Sequence, residues 1–429
     1  MARDASRPDS LTVTERSSAL APFRIRSYRF QWPADVLTSW AFEMEFLILG
    51  WYILVETGSV VMLTLFGSLM YLGTLVAPMF GVFGDRIGHR NLLAGMRAAY
   101  ALLATTMMTL ALTGLINPLY VFVIAAIFGT IRPSDLGVRG ALVASTMPPA
   151  YLVSAMSVSR TTMDSARIAG ALTGAGMFAA LGMGPAYIVI ASLYVASTIL
   201  TLCISPSSET RSPDEAGAAY ASSSPWRDLS DGIAYIWNTP RLQAAMWIAF
   251  LVNLTAYPFT SNLLPYIARE VHQTDQTGLG YLSASFALGA LAASMVLSHL
   301  SGVKLARVMI IATAAWYAML MVFAQAQSLP TAIACLMLTG FAQSLSMIAL
   351  AVILMRTASE RFRGRVMGVR MMAIYSLPVG LLVAGPLIEL MGFMPTATLY
   401  AAIGLSFTLL IAVRWREDLW RPLAPANTM

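Results

Sequence analysis

The chain is a succession of apolar runs of about 20 residues, each bounded by charge, Pro or Gly, and that pattern leaves it very few ways to fold. The runs fall near 31–55, 60–83, 91–113, 117–138, 152–180, 185–204, 242–266, 278–299, 303–325, 330–354, 366–390 and 395–413. Each is long enough to cross the hydrocarbon layer, where no water is available to pair an exposed N–H or C=O, so the backbone must be helical or closed into a barrel. The runs lack the alternation of a barrel strand. The expected fold is therefore an all-α polytopic membrane protein, with twelve transmembrane helices in two six-helix halves. Composition agrees: 58% of the 429 residues are hydrophobic and 11% are charged, against roughly one-quarter charged in soluble domains.

The chain divides into a polar tail (1–30), a first half (31–204), a connector (205–240), a second half (241–414) and a short C-terminal tail (415–429). The first 22 residues contain no apolar core of a signal peptide. Phe23 to Arg29 form a basic approach suited to a membrane surface. The connector is rich in Ser, Pro, Asp and Glu, and Trp226 to Trp237 read as an amphipathic helix on the membrane face. With a cytoplasmic N-terminus, the inner loops hold Arg86, Arg90, Arg97, Arg139, Arg211, Arg227, Lys304, Arg307, Arg361, Arg363 and Arg365, while the outer loops hold Arg269. The positive-inside rule then puts both termini in the cytoplasm, in a bacterial-type inner membrane. The net charge of +6 comes from arginines at span ends, which argues for orientation signals and against nucleic-acid binding. Cys203, Cys335 and the three histidines (His89, His272, His299) have no metal-ligand spacing, and no nucleotide loop or nucleophile elbow is present. Neither metal, cofactor nor enzymatic activity is expected.

Between the second and third runs the sequence reads Gly81-Val82-Phe83-Gly84-Asp85-Arg86-Ile87-Gly88-His89-Arg90. Gly81 and Gly84 permit close helix packing, and Asp85, Arg86 and Arg90 can form charge-assisted contacts at the membrane edge. The stretch resembles the major facilitator signature G-x-x-x-D-R-x-G-R/H-R/K. Glu360 to Gly368 is similar to a segment of bacterial siderophore, macrolide and lysophospholipid carriers of that superfamily, and the likeness extends from about Phe23 to Arg416. The equivalent second-half loop carries His299 where an Asp is expected. Arg167 to Ala175 resembles the antiporter motif R-x-x-G-P-x-x-G-G, with Ala171 and Ala175 in place of the Pro and the last Gly. The resemblance implies a monomeric secondary carrier of the major facilitator fold. It implies that Gly81, Gly84, Asp85, Arg86, Gly88 and Arg90 form a conformational gate stabilising the outward-facing state.

Ionisable residues inside spans cost about 2.5–3.5 kcal/mol on insertion scales and mark candidate functional positions. Here they are Asp35, Glu43 and Glu45 in the first span, Arg132 and Asp135 in the fourth, and Arg160, Asp164 and Arg167 in the fifth. Glu43 and Glu45 point about 200° apart on a helix, so they cannot share one cavity. Thr38, Glu45 and Tyr52 recur every seven residues as a polar stripe, which favours Glu45 as the cavity-facing acid, with Glu43 the alternative. Arg132 is expected to compensate Asp35 or Glu43, with binding of an anionic substrate as the alternative, and Asp164 to pair with Arg160 and Arg167 along its own helix, with a proton or substrate relay as the alternative. Together Glu45, Glu43, Asp35, Arg132, Asp164 and Arg167 are the candidates for proton coupling or charge relay. The second half offers Asn253, Tyr257, Asn262, Trp316, Tyr317, Gln343 and Tyr375 as cavity candidates. Such a lining suits an amphipathic or cationic organic molecule. The expected activity is proton-coupled export of such a molecule, with uptake or flipping of a metabolite or lysolipid as the alternative and a membrane enzyme or sensor as a distant one.

Overall fold

A computed structural model describes residues 21–74, 77–205, 225–299, 304–359 and 362–420; within these ranges the side chains of Asp85, Arg160 and His299, and the surroundings of Gly81, lie outside the described residues. The expectations for the 1–20 tail and most of the connector also fall outside them.

The first half contains α1 (Arg26–Thr57), α2 (Val60–Leu69), α3 (Ala77–Ile87), α4 (His89–Leu112), α5 (Pro118–Thr146), α6 (Pro149–Leu181) and α7 (Met183–Leu202). An amphipathic helix, α8 (Pro225–Trp237), leads into the second half. There follow α9 (Pro240–Thr255), α10 (Gln276–His299), α11 (Leu305–Ala324), α12 (Leu329–Thr357), α13 (Arg363–Ile374), α14 (Ser376–Met391), α15 (Phe393–Arg414) and the short α16 (Arg416–Trp420). Among the described residues, ten helices are long and apolar enough to cross a membrane. The expected second span is broken, with α2 and α3 joined by a 3₁₀ turn at Leu72–Thr74 and two undescribed residues. The expected fifth span, α6, is 33 residues long but carries Arg160, Asp164 and Arg167. The chain is thus a two-half, all-helical membrane bundle, and no strand occurs among the described residues.

The apolar effect does not drive helix association in lipid, so close approach and hydrogen bonding must. The closest approaches occur at equivalent places in the two halves. In the first half, a Cβ on Gly73 would collide with the Thr130 carbonyl, and one on Gly129 with the Leu69 carbonyl, locking the second span to α5. In the second half, Gly289 presses against the Met337 carbonyl and Gly340 against the Phe286 carbonyl, locking α10 to α12. The expected seam at Gly170 and Gly174 is present too, between α6 and α1: Gly170 faces Glu43 and the Trp40 carbonyl, and Gly174 faces Met44.

Pairings of chain ends define two faces. Tyr28 donates to the Ala155 carbonyl (3.1 Å), Arg90 to the Leu202 carbonyl, Arg241 to the Asp418 carbonyl, and Arg365 pairs with Asp231 of α8 (3.3 Å). This is the basic end. At the distal end Ser59 donates to Glu389 (3.0 Å) and Arg269 to the Leu54 carbonyl (2.9 Å). α8 is seated on the second half through Tyr235 stacked on Phe362, with centroids 4.3 Å apart.

Overpacking a helix seam costs about 1–3 kcal/mol or more where backbone is the obstacle. Gly340→Ala and Gly129→Ala should each lower the yield of monodisperse protein in fluorescence-detected size-exclusion chromatography, whereas Gly95→Ala, with open space around it, should elute like the parent.

Candidate functional site between the two halves

Asp35, Glu43 and Glu45 of α1 point to three different places. Asp35, 7% exposed, is locked by Arg97 of α4, which also donates to Thr201; Arg139 of α5 stands 3.7 Å from Asp35 and 2.6 Å from Asp135. Arg139 donates as well to Ser39 (2.9 Å). Arg97 is fully buried and Asp135 is 1% exposed. This is a closed four-residue network near the basic end, flanked by a cavity of about 210 Å³ lined by Asp35, Arg139, Met156, Ser159 and Thr162.

Glu45 does not face the space between the halves, contrary to the expectation from its polar stripe. It is 2% exposed and accepts hydrogen bonds from Tyr194 (3.0 Å) and Tyr187 (3.4 Å), both on α7. Thr38, one step along the stripe, meets Ser197 of the same helix. The stripe is the polar seam between α1 and α7; its regular spacing records a helix partner inside the first half.

Glu43 faces the other half. It pairs with Arg167 of α6 at 3.5 Å, and here the side chains are open: Arg167 is 43% exposed and Glu43 20%. Arg167 therefore reaches across to α1 instead of being confined to its own helix, although Asp164 remains within electrostatic range. Arg132 does not bond Asp35; its guanidinium lies 3.0 Å from the centre of the Phe42 ring and within electrostatic range of Glu43. Pro133 sits one residue beyond it inside α5. Tyr71, at the break in the second span, lies within range of Glu43, Arg132, Arg167 and, from the second half, Tyr257.

On the second-half side, α9 gives way to wide π turns at Pro258–Asn262 and Ile267–Val271, around Pro258 and Pro265. A proline removes a backbone bond and breaks the regular ladder, and the irregular turn carries Asn262 to the interface. Asn262 is 2% exposed, and neither atom of its amide has a hydrogen-bond partner. It lines a pocket of about 30 Å³ with Glu43, Phe46, Gly50, Phe66, Ser261 and Pro265, contributed by both halves. Gln343 donates to the Tyr257 hydroxyl (2.7 Å). Two of the cavity candidates are corrected by burial: Trp316 and Tyr317 are both 0% exposed, Trp316 edge-on to Tyr257 and Tyr317 bonded to Thr255. They hold Tyr257 and α9 from behind. Asn253 donates to the Ala249 carbonyl of its own helix, and Tyr375 marks the break between α13 and α14.

The halves are pinned together distal to this pocket. Gly280 of α10 approaches Ala175 of α6, Gly385 of α14 approaches Thr64 of α2, and Ser68 donates to the Pro378 carbonyl (3.3 Å). Toward the basic end, α5 and α12 make no extensive contact with one another among the described residues. The loop motif sits there. Gly88, with φ of 84°, makes the turn between α3 and α4, a backbone state that favours glycine, and Gly84 closes on His89. Arg86 is exposed, and Arg90 bonds the end of α7 in its own half.

This geometry is met elsewhere. Residues 246–427 match the Major Facilitator Superfamily model. Structural likeness shows the same fold over 92% of the chain. A point mutant of the nucleoside transporter NupG superposes with a TM-score of 0.71 at 14% identity, covering 92% of this chain and 100% of that one. A POT family transporter in complex with 5-aminolevulinic acid gives 0.71 at 12% identity, over 92% and 96%. The human organic anion transporter MFSD10 gives 0.63 at 17% identity, over 90% and 99%. No curated protein sequence matches the chain.

Removing one member of a buried ion network strands its partners and costs about 3–5 kcal/mol. Asp35→Asn and Arg97→Gln should therefore lower the thermal unfolding midpoint of the detergent-purified protein by several degrees, and the double variant should lose less than the two single losses added.

Proposed function

We propose that this protein is a proton-coupled secondary transporter of a small amphipathic organic molecule, working by alternating access, with the basic end in the cytoplasm. The observation that carries this reading is the pocket between the halves: closed on its distal side by glycine-tight contacts, lined by Glu43 with its Arg167 partner beside it, and with no extensive contact between α5 and α12 toward the basic end among the described residues. Ligand sites of such carriers lie near the membrane midplane, at interrupted helices where two repeats meet. The arrangement is consistent with an inward-facing state, and the gate role belongs on this reading to the loop motif of Gly81, Gly84, Asp85, Arg86, Gly88 and Arg90, which would close on the other half when the basic end closes. Rocking would open the Ser59–Glu389 and Arg269–Leu54 contacts and close the basic end.

Rocking is testable without knowing the substrate. In a protein with Cys203 and Cys335 replaced by Ser, Phe46→Cys should react with a membrane-impermeant maleimide from both sides of the membrane. Adding Ser59→Cys and Glu389→Cys and oxidising them should abolish labelling from the outside alone, and reduction should restore it. A Phe46→Cys that labels from one side under every condition would overturn alternating access.

Export is the direction carried by the likeness of Glu360 to Gly368 to exporter segments. Glu43 takes the coupling role, because it alone of Asp35, Glu43 and Glu45 is open to the space between the halves; Glu45, Asp35 and Asp164 serve packing and charge balance. In an efflux-deficient bacterial host, expression should protect against at least one member of a panel of toxic amphipathic acids and cations. Glu43→Gln should remove that protection while Glu45→Gln retains most of it. A second reading, uptake, is favoured by one observation: the coupling acid is held by an arginine. Absence of protection across the whole panel would leave uptake as the reading.

A further inference from the structure

The open charges at the boundary between the halves, among the described residues, are two guanidiniums and one carboxylate. Arg132 and Arg167 approach the central space from α5 and α6, and Glu43 is the open acid that meets them there; Arg132 is also within electrostatic range of the buried Asp135 and Glu45 of its own half. Arg167 also feels Asp164, but from its own helix, whereas the faces contributed by the second half are neutral: Tyr257, Ser261, Asn262 and Gln343. Arg132 has no carboxylate within ion-pair distance among the described residues and is held by the face of Phe42. A guanidinium stacked on an aromatic ring keeps its N–H groups directed edgewise, available to a planar anion. From the second half, the Asn262 amide lines the pocket beside Glu43, buried at 2% exposure with donor and acceptor both unmet among the described residues, a costly arrangement unless something fills the pocket during the cycle.

We propose that the transported molecule is an organic anion whose charged group is bound by Arg167 and Arg132, with the Asn262 amide of the second half completing the site. This rests on the carrier reading above and sharpens its substrate class, replacing the cationic molecule that an acid-rich first span suggests. Glu43 occupies Arg167 when the site is empty, so the arriving anion displaces a carboxylate instead of meeting an unpaired cation. The 30 Å³ pocket lined by Glu43, Phe46 and Asn262 adjoins these arginines and holds no more than the tip of the ligand; its apolar body extends toward the basic end, past Phe42. Because Arg167 and Asn262 belong to different halves, one ligand engages both, which is how binding could bias the rocking equilibrium.

A matched pair of probes tests this. Dansylglycine carries a carboxylate and dansylcholine a quaternary ammonium on the same fluorophore, and their binding to the full-length protein in neutral detergent can be followed by fluorescence. Saturable binding of dansylglycine, tighter than that of dansylcholine, is expected. Arg167→Gln should weaken dansylglycine at least tenfold, Arg167→Lys should recover most of the loss, and Glu43→Gln should strengthen binding by removing the competitor. Each variant is first required to elute as a monodisperse species, so that misfolding is not read as lost affinity. Tighter binding of dansylcholine, no saturable dansylglycine binding, or an Arg167→Gln variant with unchanged dansylglycine affinity would overturn the anion site. None of these outcomes touches alternating access, which the thiol-labelling experiment reads without any ligand.

Discussion

Backbone contact at glycine is the constraint on which the rest of this structure depends. In lipid an apolar side chain gains nothing by leaving one hydrocarbon environment for another, so helices are held by close approach and polar bonds. The second span against α5, and α10 against α12, are each locked by a pair of glycines facing carbonyl oxygens. These are equivalent helices of the two halves, so the same joint is built twice from sequences with little visible likeness. The joints make each half a rigid block. Gly280 and Gly385 then bring the blocks into close contact toward the distal end, and two rigid blocks held tightly there can rock about that contact.

The charged residues divide according to whether a rigid block encloses them. Asp35, Asp135, Arg97 and Arg139 lie inside the first half and bond one another; Glu45 lies inside it and bonds two tyrosines. Groups paired with one another inside a single block keep their partners when the blocks move. Glu43, Arg167 and Arg132 lie at the boundary, and their surroundings change with the blocks. Position relative to the boundary thus separates structural from functional charge better than depth in the membrane does.

Much of this was legible in the sequence. The apolar runs specify the helices, because lipid permits almost nothing else, and the loop from Gly81 to Arg90 marks the turn that Gly88 makes. Facing directions were less legible. A heptad polar stripe through Thr38, Glu45 and Tyr52 indicates that something polar lies opposite, and the periodicity is the same whether that is a ligand space or the hydroxyls of α7. Trp316 and Tyr317 misled similarly, since an aromatic pair in a span reads alike as wall or as core. The break in the second span was also hidden, because Tyr71 to Thr74 are as compatible with a helix as with the 3₁₀ turn they adopt. The position of Asn262 did have a signal: Pro258 and Pro265 bracket it within one span, and a helix interrupted twice exposes whatever lies between the interruptions.

The charge balance at the boundary bears on coupling. Facing Glu43 are Arg167 and Arg132 from the first half, Tyr71 at the break in the second span, and Tyr257 from α9. If an organic anion takes Arg167, Glu43 is left beside a second negative charge in a partly enclosed space, and a proton on Glu43 relieves that repulsion. Proton and anion then favour each other's binding, and the loaded site carries one negative charge fewer than it would with the anion alone. Mutual favour of this kind drives both species in the same direction, which accords with the uptake reading, whereas a substrate competing with the proton for Glu43 would drive them in opposite directions, as the export reading requires. The sign of the substrate's charge and the direction of coupling are therefore one question at this site, decided by which partner Arg167 keeps when the carrier is loaded.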